Sequence, residues 1–325
     1  MKVLITGGAG FLGRRLATKL LALGQLPDTT GKPEPIDELV LLDVVEATGF
    51  NDPRVIAVVG DIADRAVLER VIDKQTGAIF HLAAVVSGQA EADFELGMRI
   101  NLDASRALLE VCRAAGHAPR VVFTSSVAVY GGALPDVVQD DTALNPQSSY
   151  GAQKAIAELL LCDYSRRGFV DGRVLRLPTI SVRPGKPNAA ASSFASGIIR
   201  EPLNGERSVC PVDGETRLWL LSPTSAVKAL IAGCEIDRAK FGNRPVINLP
   251  GLSVSVNEMI AALREVAGDE AVARIDWQRD ERIEKIVGSW PGKWDVERAH
   301  ALGLAGDENF AEVIRAYQAD EGLSA

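Results

Sequence analysis

"ITGGAGFLGRRL", from Ile5 to Leu16, decides how this chain folds. It contains Gly8-x-Gly10-x-x-Gly13 and, overlapping it, Gly7-x-x-Gly10-x-x-Gly13. The continuous apolar run "KVLIT" (2–6) leads into it, and "RRLATKLLALG" (14–24), with helical spacing and a glycine stop, leads out. A glycine-rich turn that ends a strand and opens a helix is the context a dinucleotide-binding fingerprint requires. The backbone must turn tightly, approach a pyrophosphate closely and let the helix pack on the sheet, and a side chain would block each of these. The helix N-terminus then offers free N–H groups and partial positive charge to phosphates. Gly7, Gly10 and Gly13 are therefore candidate cofactor-binding positions.

Outward from that turn the pattern alternates. "ELVLLDV" (38–44), "RVIAVVGD" (54–61), "AIFHLAAVV" (78–86), "RVVFTSS" (120–126) and "RVLRLPTI" (173–180) read as strands. "RAVLERVID" (65–73), a long run from Glu91 to Ala115, and 148–167 read as helices. Apolar strands alternating with helices predict a parallel sheet covered on both faces. Right-handed crossovers make it a doubly wound, Rossmann-type α/β domain, expected over residues 1–183. Near Arg183 the texture changes, and "VRPGKPNAAASSF" (182–194) reads as loop. Residues 184–325 are expected to form a smaller mixed α/β substrate-binding part, with helices at 255–267 and near 307–319. "PVINLP" (245–250) is a candidate to return to the main sheet, which leaves the boundary soft.

Of the 325 residues, 47% are hydrophobic and 24% charged, enough for a compact core. The formal net charge of −8 argues against a nucleic-acid partner, which needs a basic footprint. No apolar run is long enough to cross a bilayer, so no membrane partner is expected. Strand-like sequence from Lys2 leaves no room for a signal peptide, and the cytoplasm is the expected compartment. Cys112, Cys162, Cys210 and Cys234 form no CxxC pair, and His81, His117 and His300 are equally scattered. Reduced structural thiols and no metal site are the expectation.

Asp43 ends the second strand, where a carboxylate can accept hydrogen bonds from the adenosine ribose. It lies further from the glycines than the usual spacing of about 20 residues. "QLPDTTGKPEPID" (25–37), read as a surface insertion, accounts for the gap. No arginine immediately follows Asp43 to hold a 2′-phosphate, so NAD is the expected cofactor. Asp61, with Ile62 after it, suits the adenine edge or, alternatively, caps a helix.

"SSYGAQKAIAELLL" (148–161) has apolar residues at helical spacing, and places Tyr150 and Lys154 one turn apart on one face. Alone, they are an ordinary tyrosine and a solvated lysine. In their setting they are more. "TGGAGFLG" (6–13), "LLD" (41–43), "GDIAD" (60–64), "HLAA" (81–84), Asn101, "TSSVAVYG" (124–131), "YGAQK" (150–154) and "RLPTI" (176–180) occur in one order. Together they resemble the extended short-chain dehydrogenase/reductase family, which includes NAD-dependent nucleotide-sugar epimerases and dehydratases. The resemblance implies a Ser–Tyr–Lys active site on a Rossmann fold. It extends the cofactor contacts to Phe11, Leu12, Leu82, Ala83, Ala84, Asn101, Tyr150, Lys154, Pro178 and Ile180.

The chemistry of the pair fits that implication. A phenol with a pKa near ~10 is a poor base at neutral pH. An ammonium one turn away and the positive ring of NAD⁺ are expected to lower it, which suits general-base catalysis. Family spacing selects Ser126 as the catalytic serine and leaves Ser125 as a neighbour touching substrate or cofactor. Asn101 has three open readings: a proton relay, a helix kink, or a polar residue on a solvated or capped face.

Family dehydratases carry an Asp–Glu pair beside the catalytic serine, and here Ser126-Val127-Ala128 stands there. Nucleotide-sugar enzymes carry an "NVYGP"-like run and later an "HVxD" run, where this chain has "TISVRPGKPN" (179–188) and "RLWLLSPTSA" (217–226). What remains is cationic: Arg183 and Lys186, with Arg176 close by and Arg217 a further candidate. Bidentate arginine suits a carboxylate; a structural surface contact is the alternative for each arginine.

"HLAAVVSGQAEADFELGMRINLD" (81–103) and "RLPTISVRPGKPNAAASSFASGIIREPLNG" (176–205) resemble more closely one branch of the family, which oxidises a four-carbon sugar acid. That likeness implies attack at the C2 hydroxyl of D-erythronate, with Tyr150 taking its proton. An arginine, Arg183 or Arg217, would anchor the carboxylate, with Ser87, Ser125, Ser126 and Thr179 as further substrate contacts. The alternatives are a nucleotide-sugar epimerase or reductase and, in another class, a non-catalytic NAD-sensing regulator. Family members often dimerise through two long helices, here 91–115 and 148–167, so a homodimer is expected.

Overall fold

The computed structural model describes residues 1–187 and 190–323. Seven strands form one parallel sheet: β1 (Lys2–Thr6), β2 (Glu38–Asp43), β3 (Val55–Val59), β4 (Thr76–His81), β5 (Arg120–Ser126), β6 (Asp171–Leu177) and β7 (Val246–Asn248). Their order is β7-β6-β5-β4-β1-β2-β3. The order reverses between β1 and β4, and in such sheets ligands bind at that switch point, outside the carboxyl ends of the strands. Every residue of β1 is buried, as a strand covered on both faces must be.

Helices cover the two faces. Leu16 and Leu20 of the Phe11–Leu23 helix and Leu230 of the Pro223–Glu235 helix pack on one side with Ile5 and Val122. Leu108 of Ala104–Ala115 and Leu161 of Ser149–Arg166 pack on the other with Leu4 and Phe123. The first helix stops at Gly24, whose φ of 73° is a left-handed cap that a Cβ would strain. The Ser149–Arg166 helix is capped by Ser148, whose hydroxyl accepts the Gly151 N–H.

Several sequence expectations are redrawn. The run from Glu91 to Ala115 is not one helix. Asp93 breaks it by leaving helical angles and capping a new turn at Leu96 N–H, and Met98–Asp103 is wound as a π-helical turn before Ala104–Ala115 begins. Such turns are frequent at functional sites. The strand expected over 78–86 ends at His81, and 82–86 is loop. The strand expected over 173–180 breaks at Pro178, which has no N–H to give. Beyond it Thr179–Ile180 pairs with Leu220 and Leu221 in a second, three-stranded sheet with Arg217–Leu221 and Leu252–Ser255. The 25–37 insertion folds as a hairpin of Gln25–Pro27 on Pro33–Pro35.

A separate apolar cluster organises the later residues, built on Phe194, Ile198, Met259, Leu263 and Ile314. The chain nonetheless crosses between the two parts more than once. The Pro223–Glu235 helix packs on the main sheet and β7 pairs with β6, although both lie beyond residue 183. Of the 182–194 stretch, positions 188 and 189 lie outside the described residues; Ala191–Ser193 forms a tight turn that opens the Phe194–Leu203 helix. Among the described residues no helix is long and apolar enough to cross a membrane.

Candidate active site

A cleft of about 610 Å³ opens at the carboxyl ends of β1, β4 and β5. Gly7, Gly10, Phe11, Leu12 and Gly13 form one wall. Gly7 has φ +72°, and a Cβ there would lie 2.9 Å from the Ala83 N. At Gly13 a Cβ would lie 2.2 Å from the Gly7 carbonyl oxygen. Backbone packed this closely under a helix N-terminus forms a cradle that fits a dinucleotide pyrophosphate.

Asp43, Asp61 and Ile62 line the same cleft. The Asp43 carboxylate accepts the Ala9 N–H at 3.1 Å and the Val44 N–H at 2.7 Å, which fixes it beside the glycine turn, in reach of a ribose diol. Asp61 accepts the Ala63 N–H at 2.8 Å and pairs with Arg99 at 2.5 Å. The helix cap that sequence offered as its alternative role belongs to Asp64, which accepts the Ala66 N–H.

The loop after β4 supplies Leu82, Ala83, Ala84 and Ser87. It is held from two sides. The Thr6 hydroxyl accepts the Ala83 N–H at 3.2 Å and bonds His81 Nδ1 at 2.8 Å. Burial pushes that imidazole down to about 3, so it stays neutral. From the other side Asn101 accepts the Val85 N–H at 2.8 Å and donates to the Val85 carbonyl at 3.1 Å and to Gln153 at 2.8 Å. Asn101 is therefore buried behind the cleft rather than in it. The solvated-face reading falls away, and its hydrogen bonds tie the loop to the helix of Gln153. Ser87 is buried with its hydroxyl accepting the Ala191 N–H at 3.3 Å, which ties this loop to the one after β6.

Ser125, Ser126, Tyr150 and Lys154 meet at the floor, with Pro178, Thr179 and Ile180 opposite. Lys154 is almost fully buried and donates to the Thr124 carbonyl at 2.9 Å. Burial lowers its pKa to about 7, against a counter-pull from Glu158. Burial also raises Tyr150 to about 12; hydrogen bonding with Ser126 and the charge of Arg183 pull it back only in part. The sequence expectation joins Lys154 with the positive ring of NAD⁺. Of the chain's own groups, Ser126 and Arg183 are the ones that favour the ionised phenol, against desolvation. Ser126 is the serine that acts on the Tyr150 phenol, while the Ser125 hydroxyl is buried without a partner among the described residues.

Arg183 lines the cleft. Its backbone is fixed by an N–H bond to the Ser196 hydroxyl at 3.0 Å and by Arg200 donating to its carbonyl at 2.8 Å. One guanidinium nitrogen, Nη2, is buried with no partner among the described residues. Burial and the nearby Arg200 push its pKa down, and Tyr150 pulls it up. Among the described residues no carboxylate pairs with that cation.

The other cations are elsewhere. Arg217 does not line the cleft; its guanidinium is 45% exposed and engages Glu258 and the Ser253 carbonyl. Its strand pairs with Leu252–Ser255 in the second sheet, and that pairing carries the side chain away. Arg176 is buried but consumed by a bidentate pair with Glu158. Lys186 is exposed. Sequence reasoning also missed Arg99 and Trp290, both of which line the cleft. Arg99 follows no motif, although its place in a π-helical turn marks it after the fact. Trp290 is distant in sequence from every other lining residue.

With this geometry in hand the relatives are informative. The family model for the NAD dependent epimerase/dehydratase family matches residues 3–233. The chain is 68% identical over 324 residues to a D-erythronate dehydrogenase of Cupriavidus necator, covering 100% of both chains. It is 48% identical to a D-erythronate dehydrogenase of Haemophilus influenzae over 318 residues, 98% of each. A solved structure described as a nucleoside-diphosphate-sugar epimerase from Agrobacterium tumefaciens superposes with TM-score 0.93 at 45% identity, covering 100% of this chain and 95% of that one. The chain belongs to the NAD dependent epimerase/dehydratase family.

Proposed function

We propose that the chain is an NAD-dependent dehydrogenase that oxidises the C2 hydroxyl of a small sugar acid, D-erythronate foremost, to the 2-oxo acid. The observation that carries this reading is Arg183, a half-buried cation with a free guanidinium nitrogen beside Tyr150, in the same cleft as the glycine turn. A charged hydrogen bond to a buried guanidinium contributes about 1.5–3 kcal/mol, and a carboxylate alpha to the reacting carbon satisfies it. Bound NAD⁺ supplies the hydride acceptor and a positive ring charge. Ser126 polarises the substrate oxygen, Tyr150 takes its proton, and the buried Lys154 holds the ribose side of the floor. The two relatives of 68% and 48% identity support the substrate.

Phe94, Ile156 and Leu159 are 55%, 42% and 66% exposed, and this apolar surface supports a homodimer through the 94–97 turn and the Ser149–Arg166 helix. Four unpaired cysteines suit a reducing compartment, in keeping with the cytoplasm.

The name of the Agrobacterium structure favours a second reading, a nucleotide-sugar epimerase. One assay separates the two. NADH formation is followed with NAD⁺ and a panel of sugar acids, beside UDP- and dTDP-sugars. Turnover of D-erythronate alone upholds the dehydrogenase, and conversion of a nucleotide sugar with silence on the acids hands the site to the epimerase.

A further inference from the structure

The cleft has one wall that the nucleotide-binding half does not build. Trp290 is contributed from beyond residue 192, where every other lining residue lies at or before that position. It follows the Glu281–Val287 helix, and its backbone N–H is held by the Val287 carbonyl. Its indole packs against two apolar clusters at once. One is the core of the later residues, built on Phe194 and Met259. The other contains Val127 and Val129, directly after Ser126. This places Trp290 at the catalytic end of the cleft, away from Asp43 and Asp61. Behind it lies a second depression of about 720 Å³, bordered by Trp290 itself and by Gly132, Asp136, Arg217 and Lys293.

We infer that Trp290 is the partition that sets substrate length, closing the acid site against the depression behind it. This rests on the sugar-acid reading above. With the indole in place, the room beyond the reacting carbon ends at an aromatic wall. A four-carbon acid fits in front of it. A longer aldonate, or a sugar carrying a nucleoside diphosphate, would have to pass through it. With the indole gone, the two spaces join, and Lys293 on the border of the second becomes available to the polar tail of a longer acid. An aromatic packed between two clusters does not swing aside cheaply, so the limit is steric rather than a matter of charge.

The test compares wild type with Trp290→Ala and Trp290→Phe on aldonic acids of four, five and six carbons, with UDP-glucose alongside. In Trp290→Ala the ratio of kcat/KM for four over six carbons is expected to fall by about tenfold or more, the scale of one filled or emptied hydrophobic contact. The KM for NAD⁺ should stay within about twofold. Trp290→Phe keeps a wall and should keep most of the selectivity, which guards against a variant that simply packs badly. An unchanged ratio in an active Trp290→Ala enzyme overturns the partition while leaving the dehydrogenase reading intact. Turnover of UDP-glucose by wild type also overturns it, because that substrate cannot fit in front of the wall. Wild type silent on every acid fells the functional reading and the partition with it.

Discussion

The two ends of the cleft are built in opposite ways. The cofactor end comes from elements that follow one another along the chain: β1, the glycine turn and its helix, the tip of β2, the loop after β3. Each contributes a short stretch whose own sequence explains its conformation. The end proposed for substrate is lined by Ser87, Thr179, Arg183 and Trp290, which approach through loops and through a second apolar cluster. Local physics fixes the first end, and tertiary packing fixes the second. A fold of this kind holds its cofactor in a site common to many relatives and differentiates its substrate where sequence constrains geometry least.

Mutations should divide along the same line, and the largest effect lies where the ends meet. Tyr150→Phe removes the proposed proton acceptor and should lower kcat by about 10²–10⁴-fold, with NAD⁺ binding retained by fluorescence titration. Full activity in that variant would take Tyr150 out of the mechanism. At the substrate end, Arg183→Met should raise KM for D-erythronate by roughly 10–100-fold through loss of charged hydrogen bonds, while KM for NAD⁺ stays put. At the cofactor end, Gly13→Ala should do the reverse. Its methyl would meet the Gly7 carbonyl at 2.2 Å, and overpacking of about 1–3 kcal/mol should weaken NAD⁺ about tenfold or more. Equal movement of both KM values in either variant would dissolve the division.

The smallest effect concerns pH. Activity should rise with pH as Tyr150, held up by burial, gives up its proton. A cation favours the phenolate, so removing one raises the pKa and moves the rising limb to higher pH. Arg183→Met is expected to move that limb upward, because Arg183 is the charge that pulls Tyr150 down. Lys154→Met is expected to lower the plateau and leave the limb in place above pH 7, since burial holds Lys154 near 7 and leaves it largely neutral there. A limb moved by Lys154→Met alone would restore the lysine as the activating charge.

Legibility in the sequence follows the same divide. The glycine turn, the strand end at Asp43 and the Tyr150–Lys154 pair could be read because backbone conformation and helical spacing are local properties; the strand expected to run to Asp61 stops at Val59. The doubly wound sheet was legible for the same reason. The choice among arginines was not. Arg176, Arg183 and Arg217 look alike in sequence, and only packing makes the first an ion-pair partner of Glu158, the second a cleft residue and the third a surface residue. The interruption at Asp93 was hidden because hydrophobic period continues through it while backbone angles do not. Direct charge reasoning counted Lys154 and the ring of NAD⁺ but not desolvation, which is the largest influence on both groups of the chain itself.

The return of β7 to the sheet has a consequence for how the molecule comes apart. β7 hydrogen-bonds to β6 at the edge of the nucleotide-binding sheet, yet it is reached only after the chain has passed through the second cluster. The final segments are thus sewn to the first ones. A protease cut in the loop after β6 should leave two fragments that stay associated, and heating should melt them in a single cooperative transition rather than as two independent units.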